Sequence, residues 1–351
     1  MELPKIPFYK KYSLIFKAIS AGGILGFLYT VFSNTASDYG YLRLLLGIII
    51  GSFIGFFIIT FENFLGYLKK YSFLSAMLLK TLIYSVLILL FLVFFVVVFT
   101  KITAHISYTE ALSQYMGKKI VEDFLFSFAA SIFLILFLEI SSLLSPGFFY
   151  NYFTGRYHRP VQEERIFMFV DLQSSTTMAE QLGDIQYSNL LQDLFNDFTN
   201  PILASRASIY QYAGDEIILT WKSSVGTKVN RCLYCFYLLK QSILNRKDYY
   251  LKTYNIVPKF KAGMHIGNAV TNWVGKVKKE IVYHGDLLNT TSRIQCKCNE
   301  LGHDFVISEI MKKALSENSS VHYAQQGEIV LRGKTKPMKL FTVDFNDQII
   351  N

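Results

Sequence analysis

Two aspartates are placed for metal chemistry. Asp171 ends the apolar run RIFMFVDL, and Asp215 lies in IYQYAGDEIILTW beside a second apolar run. Each run reads as a buried strand, being continuous, rich in Ile, Phe and Val, and bounded by turn residues. A carboxylate at a strand end is held by the sheet. Two such carboxylates brought together repel unless a cation lies between them. Oxygen donors of this kind suit Mg²⁺ or Mn²⁺. The segment SSTTMAEQLGD follows Asp171 directly and opens a helix, with Ser and Thr as good caps. Helix N-termini carry free N–H groups, so the backbone at Ser174, Ser175 and Thr176 is a candidate phosphate cradle. The expected chemistry is two-metal catalysis on a nucleotide phosphoryl group. The plainer reading has Asp171 capping a helix and Asp215 shaping a turn.

These residues need a scaffold. SIYQYAGDEIILTW reads as a hairpin with Gly214-Asp215 near its turn. Helical patterns cover SSTTMAEQLGD, YSNLLQDLFNDF and Thr227 to Leu244, and strands with Gly turns fill KFKAGMHIGNAVTNWVGKVKKEIVYHGD. LLNTTSRIQCKC begins a further helix, and DFVIS, a short helix, HYAQQGEIVLRG and KLFTVDF close the chain. The order β-α-α-β-β-α-β-β-α-β-α-β-β predicts an α+β domain. Its core is a ferredoxin-like antiparallel sheet covered by helices on one face. In such a sheet the end of the first strand lies beside the central hairpin, which brings Asp171 and Asp215 together.

Composition divides the chain. It has 351 residues, 52% hydrophobic and 17% charged, with a formal charge of +9 and a mean hydropathy of +0.30. That is too apolar for an ordinary soluble chain, and the excess lies before about Pro146. Four apolar segments, Ala18–Phe32, Leu44–Phe61, Thr81–Phe99 and Phe124 to about Leu144, each meet or nearly meet the ~20 residues needed to cross a bilayer. The expected domains are therefore a four-span membrane domain over 1–146, a linker over 147–163 and a catalytic domain over 164–351. A cleaved signal peptide fits the first segment poorly. Lys5, Lys10, Lys11 and Lys17 precede the first span. Lys69, Lys70 and Lys80 lie between the second and third, and Arg156 and Arg159 follow the fourth. The other side has Arg43, Lys101, Lys118 and Lys119. The positive-inside bias places both termini in the cytoplasm. The loop from Lys101 to Asp123 is long enough to hold a short helix.

Several features have two readings. Gly47, Gly51 and Gly55 recur every fourth residue, which suits dimerisation or packing within one bundle equally. Glu139 in the fourth span is a sensing residue or a side chain snorkelling to the interface. Cys232, Cys235, Cys296 and Cys298 read as free thiols, since the first two share a helix face. The basic residues flank the apolar runs and form no stripe interleaved with aromatics, so nucleic-acid binding is set aside.

FMFVDLQSSTTMAEQLG, YQYAGDEIILTW, GMHIGNAVTNWVG, HGDLLNTTSRIQ and LRGKTKPMKLF follow one another in this chain. In that order they resemble the class III nucleotidyl cyclases, the adenylate and guanylate cyclase family, over roughly Glu164 to Phe345. The membrane half resembles the multi-span anchors of bacterial members, which implies the inner (cytoplasmic) membrane with the catalytic domain in the cytoplasm. The resemblance implies that Asp171, the carbonyl of Leu172 and Asp215 hold two divalent ions, Mg²⁺ or Mn²⁺. It implies that Asn289 orients the ribose, Arg293 stabilises the transition state and Lys334 contacts the terminal phosphates. It also implies a homodimer in which one chain supplies the aspartates and its partner supplies Asn289, Arg293 and Lys334. The implied reaction is cyclisation of a nucleoside triphosphate with loss of pyrophosphate. Gln211 stands where many adenylate cyclases have Lys and many guanylate cyclases have Glu. Val282 replaces the usual Asp or Thr, and His284 lies close by. ATP is expected because it is the commonest substrate of the family, with a guanylate or pyrimidine nucleotide cyclase as the alternative. A diguanylate cyclase is the rival enzyme, since AGDEI resembles GGDEF. A catalytically silent membrane receptor is the rival from another class.

Overall fold

The structure, a computed structural model, describes residues 8–32, 40–64, 73–116, 118–143, 148–333 and 335–346. Lys5, Lys69, Lys70, Leu144, Pro146, Gly147 and Lys334 lie outside the described residues. Contacts divide the chain into two units, one running from Phe8 to Leu144 and the other carrying the residues from Ser145 onward.

The first unit is helical. It contains α1 (Phe8–Phe32), α2 (Gly40–Phe64), α3 (Phe73–Ala104), α4 (Tyr108–Tyr115) and α5 (Lys118–Leu143). Among the described residues two helices are long and apolar enough to cross a membrane, over Leu44–Phe61 and Leu74–Val98. The apolar run of α1, Ala18–Val31, is shorter. The expected fourth span, Phe124 to about Leu144, lies in α5 as far as Leu143, and α5 is not one of the two helices that meet that length and hydropathy among the described residues. The loop helix expected after Lys101 is α4, started by a capping box between Ser107 and Glu110.

Small residues set the α1–α2 contact. A Cβ at Gly51 would strike the carbonyl oxygen of Gly22, and one at Gly47 would approach that of Gly26. The glycine stripe of α2 is thus used within one chain, against α1. Lys80 was expected in a connection between spans. It instead lies in α3, only 9% exposed, because the helix starts at Phe73. Its Nζ is 3.9 Å from Glu139 Oε1 of α5. Each charge thereby meets an opposite one instead of facing an apolar surround alone. On α1 and α5, the Tyr29 hydroxyl donates to buried Asp123.

The second unit begins with α6 (Phe148–Phe153), which forms inside the segment read as a linker. It continues through β1 (Val161–Leu172), α7 (Ser175–Ala204), β2 (Ser208–Ala213), β3 (Glu216–Lys222), α8 (Ser223–Gly226), α9 (Arg231–Asn245), α10 (Lys247–Tyr254), β4 (Phe260–Val274), β5 (Glu280–His284), α11 (Asp286–Leu301), β6 (Phe305–Ser308), α12 (Glu309–Ala314), β7 (Val321–Ile329) and β8 (Met338–Phe345). β1 thus starts at Val161, ahead of the expected boundary at 164. The two helices read between Ser174 and Pro201 are one element, α7, broken by Gly183 at φ 71° and ψ 162°. α10 was not foreseen.

One eight-stranded sheet runs β2-β3-β1-β4-β6-β8-β7, with β5 paired to β4. Its first four strands have the expected ferredoxin-like order and are antiparallel. Two expectations are corrected. The sheet is mixed, because β4 and β6 are parallel. The α11 crossover between them returns the chain to the same end, as a parallel connection requires. Helices also cover both faces. Ile166, Met168 and Val170 of β1 pack with Leu190 and Phe198 of α7 and Phe236 of α9. Phe167 and Phe169 point the other way and pack with Leu287 of α11. β1 is apolar on both faces, so each face needs a cover.

Candidate active site

Asp171 is the penultimate residue of β1, half-buried and locked in register on both sides. Across β3 it faces Glu216, and across β4 it faces Lys261. Directly opposed residues project on the same face of a sheet, so these three side chains share one. Gly214-Asp215 forms the two-residue turn between β2 and β3, fixed by the pairing of Ala213 with Glu216. Gly214 takes φ 65°, in the left-handed region. Three carboxylates, from Asp171, Asp215 and Glu216, therefore gather at one sheet end.

Their electrostatics show the crowding. Burial raises the Asp171 carboxyl above its ordinary value, and the Asp215 charge adds to that, while Lys261 and Gln295 oppose it. Glu216 is pushed up to about 7, first by burial and then by Asp171 and Asp215, with Lys261 working against the rise. Lys261 Nζ is 3.2 Å from Asp171 Oδ2. Gln295 Nε2 of α11 donates to the same oxygen at 2.9 Å. α11 reaches that close because residue 263 is glycine: a Cβ there would overlap the backbone of Gln295. Asp171 and Asp215 are hard oxygen donors of the type a divalent cation takes, but among the described residues no three His, Cys, Asp or Glu side chains converge closely enough to hold one.

The other expected residues separate into groups. Leu172 is buried, the next residue along β1. Ser174 adopts the left-handed conformation at φ 56°, and its side chain does not cap α7. Ser175 opens the helix, Thr176 is exposed in its first turn, and no side chain of the expected cap takes up these backbone N–H groups. Gln211 is exposed on β2 just after a bulge at Tyr210. Val282 is half-buried on β5 opposite Asn272. Its neighbour Tyr283 packs against Phe167 and Tyr210, with ring centroids 5.2 and 5.1 Å apart. His284 is exposed at the end of β5.

Asn289 and Arg293 lie one turn apart on α11. The Arg293 guanidinium is close to Gly333, in the loop that leads to residue 334. Among the described residues no hydrogen bond or ion pair joins Asn289 or Arg293 to Asp171 or Asp215. The α11 residue that reaches Asp171 is Gln295.

Glu216, Lys261 and Gln295 were missed from the sequence. Glu216 follows Asp215 directly, and its adjacency was the available signal. Lys261 alternates with inward-facing Phe260 and Ala262, but nothing local pairs it with Asp171. Of the cysteines, Cys232 and Cys235 are buried in α9, and Cys296 is exposed.

The model of the adenylate and guanylate cyclase catalytic domain matches residues 159–344, more than half of the chain. The chain belongs to this family. It is 32% identical over 201 residues to adenylate cyclase 2 of Rhizobium meliloti, covering 57% of this chain and 55% of that protein. It is 22% identical over 187 residues to adenylate cyclase 1 of the same organism, covering 52% and 28%. The chain thus spans about half the length of the first relative and less of the second. Among solved structures, a bacterial light-regulated adenylyl cyclase superposes with a TM-score of 0.56 at 14% identity, over 67% of this chain and 70% of that one. That likeness supports the cyclase catalytic fold. Family membership also decides against the diguanylate cyclase reading of AGDEI.

Proposed function

We propose that this cyclase is a membrane-anchored adenylate cyclase, converting ATP to 3′,5′-cyclic AMP and pyrophosphate at sites shared by two copies of the chain. The observation that carries the reading is the gathering of Asp171, Asp215 and Glu216 at one sheet end beside an uncapped helix N-terminus. ATP is favoured by the adenylate cyclase relative at 32% identity. The apolar helices over Leu44–Phe61 and Leu74–Val98 support the membrane anchor, and the positive-inside bias puts the catalytic unit in the cytoplasm.

Asp171, Asp215 and the carbonyl of Leu172 would hold two divalent ions, Mg²⁺ or Mn²⁺. Bound there, the ions supply a lowered pKa for the ribose 3′-hydroxyl and positive charge for the triphosphate. The N–H groups at Ser175 and Thr176 take a phosphate oxygen. Asn289 of a second copy orients the ribose for in-line attack on the α-phosphorus. Arg293 of that copy offers a bidentate fork to charge developing on the transferred group. Lys334 takes the departing pyrophosphate. Gln211 and Val282 line the base position, and a glutamine both donates and accepts hydrogen bonds. The dimer rests on the family resemblance, and among the described residues of one chain no hydrogen bond or ion pair joins Arg293 to Asp171 or Asp215.

Incubating the full chain in detergent with ATP or GTP, each with Mg²⁺ or Mn²⁺, and identifying the products by chromatography tests the reading. Cyclic AMP from ATP is expected. Cyclic GMP as the sole product would move the assignment to guanylate cyclase, and no cyclic product from any pair would favour a silent receptor.

A further inference from the structure

The turn between β4 and β5 reads Gly275-Lys276-Val277-Lys278-Lys279, and every one of these residues is exposed. Turns facing water favour Gly, Asn, Asp and Ser, which satisfy the backbone locally. Here the middle residue is Val277, which is fully exposed, and Val274 at the end of β4 is exposed too. Gly275 closes the turn at φ 94°, since a Cβ there would overlap the carbonyl oxygen of Lys278.

Helix α6 stands beside this tip. The Tyr152 ring lies 6.3 Å from that of Trp273 on β4, and Lys279 Nζ is 5.3 Å from the centre of the Tyr152 ring. Trp273 Nε1 donates to the carbonyl of Arg156 at 3.0 Å, which ties the segment after α6 to the hairpin. Phe153, next to Tyr152, is 80% exposed. Lys278 shares an ion pair with Glu280 at 2.5 Å, but both side chains are exposed and such a pair is worth little. Among the described residues no carboxylate pairs with Lys276 or Lys279.

The patch thus combines three lysines with exposed Val274, Val277 and Phe153. Lysines are drawn to the negative surface of an anionic bilayer, and apolar side chains enter its headgroup region. Connectivity favours a bilayer over another partner. The fourth apolar segment ends at about Leu144 and α6 begins at Phe148. Four extended residues span at most ~14 Å.

We infer that the β4–β5 tip and α6 form a surface that binds the anionic lipid headgroups of the bilayer in which the chain is anchored. Lys276, Lys278 and Lys279 take the phosphates, and Val277 and Phe153 enter the interface. This inference rests on the membrane-anchor reading.

The test places the full chain in nanodiscs of phosphatidylcholine alone, or of phosphatidylcholine mixed with phosphatidylglycerol. Hydrogen exchange of the backbone amides over 275–279 is then followed by mass spectrometry. Exchange should be severalfold slower in the anionic discs. Replacing the three lysines together (Lys276→Gln, Lys278→Gln and Lys279→Gln) should lower the docked ratio by about a hundredfold, the combined effect of three surface charges. Exchange in that variant should be alike in both discs. Equal exchange of the unaltered chain in the two lipids overturns the inference, whether the tip stays in water or a second copy covers it in both. Slowing in anionic discs that survives the triple replacement also overturns it. If the chain stays in solution without detergent or lipid, the membrane-anchor reading falls, and this inference falls with it.

Discussion

Asp171 and Glu216 stand directly opposite each other on adjacent strands β1 and β3, with their side chains on one face of the sheet. The pairing is a liability without a cation, because both groups are half-buried carboxylates near a third, Asp215. Burial and those neighbouring charges push Glu216 up to about 7 from 4.5.

That shift has a sign. A carboxyl with a raised folded value binds its proton more tightly in the folded state. Its contribution is fully present below about 4.5 and is lost as pH rises through about 7. The melting temperature of metal-free protein should therefore fall across this window, and Glu216→Gln should flatten the fall. Thermal scans of both proteins in chelator between pH 4.5 and 8 check it. Parallel curves for the two would remove Glu216 as the source.

The proposed shared site predicts complementation. Asp171→Ala and Arg293→Ala homodimers should each lose turnover, the latter by about 10²–10³-fold. Mixed in equal amounts and allowed to exchange subunits, they should regain roughly one quarter of the unaltered activity, because half the dimers carry one intact site. A mixture as inactive as its parents would mean that each chain uses its own Arg293.

Gly263 is the position that lets α11 settle on β4. Gly263→Ala should destabilise the catalytic unit by about 1–3 kcal/mol, the usual cost of overpacking. The same change should pull Gln295 off Asp171. Chemical denaturation followed by a catalytic-unit signal such as Trp221, buried on β3, reads the first effect. An unchanged midpoint would show that α11 yields without cost.

The α1–α2 contact predicts a steric result in the other unit. Gly51→Leu should separate these helices, since even a Cβ meets the backbone of Gly22. Ile49→Leu, on an exposed position of the same helix, should have no effect. Thermal stability in detergent distinguishes them, and equal stability of the two variants would place the glycine stripe elsewhere.

The sequence by itself determined the local features. An apolar run ending in Asp171, a Gly-Asp turn, a helix with Asn289 and Arg293 one turn apart and two long apolar helices are all written in neighbouring residues. So was the ferredoxin-like strand order, which follows from the succession of elements. What surrounds Asp171 was decided only in three dimensions. Gln295 reaches it from 124 positions away, and Lys261 and Glu216 meet it through strand register. Register is set by the packing of whole strands, so no nearby residue announces it. The glycine stripe shows the same division. Its spacing promises a close helix contact, but α1 and a second copy of α2 would satisfy that spacing equally, and only the fold selects α1. Helices on both faces follow from Phe167 and Phe169, whose side chains are apolar in the sequence but acquire a partner only when α11 crosses over them.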